Sequence, residues 1–318
     1  MYDWTNFDVV FGKASKWAYD QNIVQTISRN RQALGGLLFF DRIWASIGLK
    51  ECTRIFQPSP PGLLTLLATK QYPPKSNQDL RRLFTELIGA ASQDYQKQAL
   101  VYYIIKDCKA ITDHGGAFAQ EVYLPKKYAS LISGLHHLDH GQPKQALEFL
   151  TDPSLPPAFS DEILLALLES PKLERALPTA YYLTVLPPLA DEKTLNAFFS
   201  HLCEADVTFA YTFSQKRAGF QRRRLFEKLI LTALSRKKLD KASLAEQLIS
   251  LPFTDEEIFW FEEFLIHGQG SSCHEAKDTV IMRRIATGQD CSDISRHRGQ
   301  KAGGTDWGVI QKELALTR

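Results

Sequence analysis

The side chains best suited to chemistry in this sequence are His136, His137, Asp139 and His140. His136 and His140 stand four residues apart, so a helix would put both imidazoles on one face, where they could share a metal ion. A zinc site takes three or four ligands and this face offers two. The plainer reading is a set of polar residues at the exposed end of a helix that stops at Gly141, with no metal site. Gly268-Gln-Gly270 has the glycine spacing of a phosphate loop, but it follows a helical pattern and has no lysine at the required offset. It reads as a helix C-cap. No G-x-x-x-x-G-K-[ST], strand-associated G-x-G-x-x-G, G-x-S-x-G or H-E-x-x-H occurs. The common phosphate, nucleophile and zinc-hydrolase signatures are therefore missing. No catalytic residue, cofactor or small-molecule ligand is assigned, and a non-enzyme is expected.

Two charged stretches are candidates for binding. Residues 216–241 hold ten basic residues, Lys216, Arg217, Arg222, Arg223, Arg224, Lys228, Arg236, Lys237, Lys238 and Lys241, against Glu227 and Asp240. Such a surface would grip phosphates or an acidic partner with salt-sensitive affinity. The alternative is a solvated face on an amphipathic helix whose buried stripe is Leu225, Phe226, Leu229 and Ala233. The second stretch is the polar strip Lys277, Asp278, Arg283 and Arg284 near the C-terminus, a candidate partner contact. Trp44 and Trp260 would serve either as interface anchors or, as their helical positions favour, in the core.

The elements that must position these residues are helical. Leu80, Leu83, Phe84, Leu87 and Ile88 recur at the spacing of one helix face. Ser92 is the expected cap of the next helix, which runs to about Asp107. Gly35-Gly36 reads as a break between helices, because two glycines cost about 2 kcal/mol of helix propensity. A short helix is expected around Leu63–Thr69, and Asp113-His-Gly-Gly116 reads as a loop. Residues 125–150 form a helical hairpin turning at Gly141-Gln-Pro143, and similar pairs follow at an irregular spacing of roughly 30–40 residues.

In Ser250-Leu-Pro-Phe-Thr-Asp-Glu-Glu the start of a helix is written several times over. Thr254 and Glu257 form a capping box, Phe253 and Ile258 a staple, and Asp255 to Glu257 suit the helix dipole. The helix that follows is apolar nearly all round apart from Glu262 and Glu263, and is expected to be buried. Asp278 is the expected cap of the last helix. The fold class is all-α: an irregular α-solenoid-like domain of helical hairpins over 21–288, an arm at 1–20 packed on it, and a flexible polar tail at 289–318.

Of the 318 residues, 44% are apolar and 23% charged, which suits a globular chain with a large core. A net charge of +2 provides no global field toward nucleic acid or membrane. The five cysteines, an odd number without a C-x-x-C pair, fit a reducing compartment, cytosol or nucleus. No apolar run reaches the roughly 18 residues of a membrane span.

At Ser250-Leu-Pro-Phe-Thr-Asp-Glu-Glu, Trp260-Phe-Glu-Glu263 and Ala276-Lys-Asp-Thr-Val-Ile-Met-Arg-Arg-Ile-Ala-Thr-Gly288 the sequence resembles the ELYS-like family, the helical domain of a nuclear pore assembly factor. Arg31-Gln-Ala-Leu-Gly-Gly-Leu-Leu-Phe-Phe-Asp-Arg42, Lys97-Gln-Ala-Leu-Val-Tyr-Tyr103 and Phe159-Ser-Asp-Glu-Ile163 agree, so the resemblance runs over roughly 22–288. It implies a helical adaptor at the nuclear envelope and nuclear pore. Its implied partners are nucleoporins of the Y-shaped outer-ring complex, including a β-propeller member. The chain departs from the long animal form, with no β-propeller ahead of the helices and no AT-hook after them. It matches the short fungal form, and chromatin tethering is accordingly in doubt. The competing expectation is a nucleic-acid or chromatin-binding module acting through 216–241.

Overall fold

Several helix starts in this chain are set by side chains that take up otherwise orphaned backbone amides. The computed structural model describes residues 2–12, 19, 21–48, 72–108, 112–155, 158–170, 174–234, 241–273 and 276–289. The Leu63–Thr69 helix, the tail beyond 289 and Arg236, Lys237 and Lys238 lie outside them. Among the described residues there are sixteen α-helices, one 3-10 turn and no strand, so the chain is all-α. It divides into two compact units, residues 1–195 and 196–318.

The first unit contains α1 (Phe7–Val10), α2 (Gln21–Ala33), α3 (Phe39–Gly48), α4 (Asn77–Gly89), α5 (Asp94–Asp107), α6 (Thr112–Glu121), α7 (Lys126–Asp139), α8 (Pro143–Leu150), α9 (Ser160–Glu169) and α10 (Ala176–Val185). Ser76 caps α4 by accepting from the Asp79 amide at 3.1 Å. The cap of α5 is Gln93 rather than Ser92, because Gln96 reaches back to the Gln93 amide at 3.1 Å. Gly35 and Gly36 both take positive φ, which ends α2 and turns the chain into α3. Asp113–Gly116, expected as a loop, lies inside α6. Phe118, buried and edge-on to Tyr2 at 5.9 Å, shows the packing that outweighs the propensity cost of two glycines.

At the centre of this unit is α7, which packs on α2, α3, α5 and α8. It turns into α8 through Gly141 at φ +66° and Pro143 at the first turn. Leu131, Ile132 and Leu135 are fully buried, and Gly134 lets α8 approach closely. The N-terminal segment is fastened by Phe7 and Phe11, each edge-on to Phe84 at 5.6 and 5.7 Å.

In sequence, α11 (Glu192–Ala205) runs from the end of the first unit into the second. The second contains α12 (Val207–Gln215), α13 (Gly219–Ala233), α14 (Lys241–Ser250), α15 (Asp255–Ile266), a 3-10 turn (Gln269–Ser272) and α16 (Ala276–Ala286). The capping box of α15 forms as its residue pattern demands, Thr254 accepting from the Glu257 amide and Glu257 from the Thr254 amide. α13 packs against α12, α14 and α15, and α16 closes on α14 and α15. Leu225, Phe226, Leu229 and Ile230 of α13 meet Phe253, Trp260 and Phe261 in the core.

The α7–α8 approach is testable. A Cβ added at Gly134 would sit 2.4 Å from Leu150 Cγ, whereas one at Gly89, at the end of α4, meets nothing within 4 Å. Gly134→Ala should cost about 1–3 kcal/mol in urea unfolding, and Gly89→Ala should be neutral or slightly stabilising.

Candidate functional site

The histidines at the end of α7 are not at an exposed end. His136 and Asp139 are buried, His140 is mostly so, and all three belong to a polar network inside the first unit. The residue that makes it possible is Asp107, the last of α5 and fully buried. Its Oδ1 accepts from His136 Nε2 at 2.8 Å and His140 Nε2 at 3.0 Å. Its Oδ2 accepts from the hydroxyls of Tyr19, at 3.0 Å, and Tyr72. The two imidazoles stack with centroids 4.0 Å apart. Asp139 is satisfied separately, by Tyr103 Oη at 2.6 Å and by the Phe39 and Phe40 amides at 2.9 and 3.0 Å. Its carboxylate thus caps the N-terminus of α3, where a negative charge is favoured.

The network sorts these groups by charge. Burial alone would raise Asp107, but the His136 and His140 hydrogen bonds and charges outweigh it and hold the carboxyl below its ordinary range. Burial drives His136 down to about 4 against the pull of Asp107. Burial pushes Asp139 up to about 6 against its three donors. At neutral pH the two aspartates are therefore anionic and His136 is neutral. Sequence spacing missed Asp107, because no local pattern links it to residues about 30 positions further along the chain.

Ligand-type atoms of Asp107, His136 and His140 lie within 4.8 Å of one another, the number and kind a divalent cation needs as a minimum. Their arrangement is that of a hydrogen-bonded set. A cation would have to displace both N–H donors from Oδ1. It would also leave His136 Nδ1, buried and without a partner, as an unpaired N–H. As it stands, the set is one buried carboxylate within hydrogen-bond reach of two imidazoles and two hydroxyls.

In the second unit a different carboxylate organises the basic residues. Glu257 is fully buried and accepts from Tyr211 Oη at 2.8 Å, Arg222 at 2.8 Å and the side chain of Gln215, besides closing its capping box. Burial would raise it, but the Thr254 amide and Arg222 prevail and its carboxyl is lowered. Arg223 pairs with Glu227 and Glu263, both at 2.9 Å, and Lys228 donates to the Asn196 carbonyl at 2.8 Å. Arg224 is partly buried. The arginines of α13 are thus spent largely on their own protein, and Arg222 and Arg223 also lie over Trp260, which is in the core. Trp44 is partly buried and stacks on Phe40.

The strip of Lys277, Asp278, Arg283 and Arg284 is not one surface. Arg283 is only 4% exposed, with its guanidinium 3.6 Å from the Phe253 ring centroid and donating to the Ile249 carbonyl at 2.5 Å. Asp278, expected to be a cap, lies within the first turn of α16 and is buried. Arg284 makes a bidentate pair with Glu262 at 2.6 Å, and of the four only Lys277 is exposed. Exposure lies instead where an apolar helix was expected to be covered. Phe259 is 65% exposed and Phe220 80%. Phe220 is one turn from Arg223 on α13, and Phe259 is one turn from Glu263 on α15, so the Arg223–Glu263 pair links their helix faces.

Replacing Glu257 with Ala removes the cap, the Tyr211 acceptor and the partner of Arg222. A loss of about 3–5 kcal/mol is expected in denaturant unfolding of the second unit. Lys277→Ala should stay within about 0.5 kcal/mol by the same assay.

The family model described as "ELYS: Nuclear pore complex assembly" matches residues 37–268, which span most of both units. A Schizosaccharomyces pombe protein called "Uncharacterized protein ely5" is 26% identical over 247 residues, covering 77% of this chain and 74% of that protein. No helix among the described residues is long and apolar enough to cross a membrane.

Proposed function

Because the chain belongs to the ELYS family of nuclear pore complex assembly, we propose that it is a non-catalytic adaptor of the pore scaffold, acting at the nuclear envelope. In this reading it binds nucleoporins of the Y-shaped outer-ring complex, a β-propeller member among them. The observation that carries the proposal is the family match over residues 37–268, which takes in helices of both units. The structure supports it in kind. Arg222, Arg223 and Arg284 are held by glutamates of their own unit, while two phenylalanines remain exposed about one ion pair, as in surfaces that bind protein partners.

The nucleic-acid reading has less support, because Arg222 and Arg223 are each held by glutamates. Phosphate contact through them would have to break those pairs. Lys277 and Arg284 stay as further candidate partner contacts.

A tagged copy should give a nuclear-rim signal and co-purify outer-ring nucleoporins. Phe220→Ser with Phe259→Ser should weaken that recovery at least tenfold with thermal unfolding unchanged. Diffuse localisation without co-purifying nucleoporins would overturn the proposal. Retention on DNA at low salt, lost on Arg222→Glu and Arg223→Glu in a folded protein, would favour the nucleic-acid reading instead.

A further inference from the structure

We infer that the first unit holds one proton between His140 and Asp107 at neutral pH, and that this proton makes its fold loosen as the pH rises above neutrality. Donor and acceptor counting requires it. His140 Nδ1 is 2.7 Å from the His136 carbonyl oxygen, which can only accept, so Nδ1 carries a hydrogen. His140 Nε2 is 3.0 Å from Asp107 Oδ1. If Nε2 were bare, its lone pair would face a carboxylate oxygen and two acceptors would oppose each other in a buried place. A hydrogen must lie between them. Three further donors, His136 Nε2 and the Tyr19 and Tyr72 hydroxyls, already point at the carboxylate. They favour the anion, and the hydrogen then belongs to His140 as an imidazolium.

The position of the ring supports the same assignment. His140 is the C-cap of α7, where the helix dipole favours a cation. It also lines a cavity of about 240 Å³ with Arg29, Asn30 and Ser170, a path for exchange with solvent. The charged and titratable groups around it are Arg29 from α2, Lys106 and Asp107 from α5, and His136, His137 and Asp139 from α7 itself. Tyr19 and Tyr72 lie behind the carboxylate. Burial opposes charge on His140, but the Asp107 hydrogen bond and charge prevail and its affinity for the proton is raised.

The direction of the linkage follows. Below about pH 6.5 the unfolded chain also holds this proton, and the stabilisation is complete. Above it only the folded chain does, and stability falls as the pH rises through the raised value. Asp139, at about 6, has lost its proton before pH 7. Cys108, whose thiol burial pushes up, contributes in the same sense only once unfolded thiols ionise near 8.5. Lys106, lowered by burial, acts in the opposite sense at higher pH. Between pH 7 and 8.5 the part of the change that His140→Gln removes is therefore the part due to His140. Losing its proton sets the Asp107 carboxylate against a bare nitrogen and slackens the anchor of Tyr19 on the same carboxylate.

The test is urea unfolding of the full chain at pH 7.0 and 8.5 in EDTA, for the wild type and His140→Gln. In the wild type the unfolding constant should rise, by up to tenfold per pH unit for one proton, and in His140→Gln it should rise by no more than the roughly twofold that unfolded thiols supply by pH 8.5. Ring nitrogen NMR of the wild-type chain at pH 7.0, which serves even if the variant does not fold, should find both nitrogens of His140 protonated. A pH-independent wild type, a His140 ring with one protonated nitrogen at pH 7.0, or stabilisation by one equivalent of zinc that His140→Gln abolishes would each overturn the inference.

Discussion

A carboxylate that must stay charged in a helical core dictates where its neighbours can be. Asp107 is such a group, and its four donors come from the segment at Tyr19, the segment at Tyr72 and the end of α7. None of these is close to Asp107 in sequence, so satisfying one charge fixes the meeting of α5 and α7 and anchors two segments earlier in the chain. Asp139 extends the constraint to α3 by capping its first amides, while the Asp139 carbonyl accepts from the Asn30 side chain of α2 at 2.9 Å. Apolar packing of α7 supplies the bulk of the burial and fixes its close approach to α8 at Gly134. The polar network adds a second demand on register, because one mismatched donor inside a dry core costs about 1–3 kcal/mol.

The second unit solves a comparable problem with Glu257. There the carboxylate serves at once as capping-box residue, acceptor for Tyr211 and counter-ion for Arg222, so the start of α15 is tied to α12 and α13. Chemistry in both units is directed inward, toward holding helices in place. That use of buried charge suits a scaffold: Asp107 and Glu257 each hold several helices or segments together. It accords with membership of a nuclear pore assembly family, whose members are structural and not catalytic.

Local signals were well written and remote ones were not. The Thr254–Glu257 box, the glycine break at 35–36 and the Gly141 turn each depend on residues within a few positions, and each formed as read. The burial of His136 and Asp139 depended on Asp107, about 30 residues earlier, so an i, i+4 pair of histidines looked like a helix end in water. Arg283 looked like a surface cation because its ring partners, Phe253 and Phe261, are more than 20 residues away. Phe259 is the converse case. A helix apolar all round implied full burial, and only the packing of α15 on one side by α13 and α16 determined which face stayed open. Asp113–Gly116 followed neighbouring packing instead of its own propensity.

The most direct measurement of the central claim is residue-resolved hydrogen exchange on Asp107→Asn beside the wild type. With the carboxylate as the constraint, amides of α2, α5 and α7 should lose protection together, while those of α13 and α15, organised by Glu257, keep theirs. Unchanged protection in α5 and α7 would contradict the account, leaving apolar packing as the sole determinant of how the first unit is arranged.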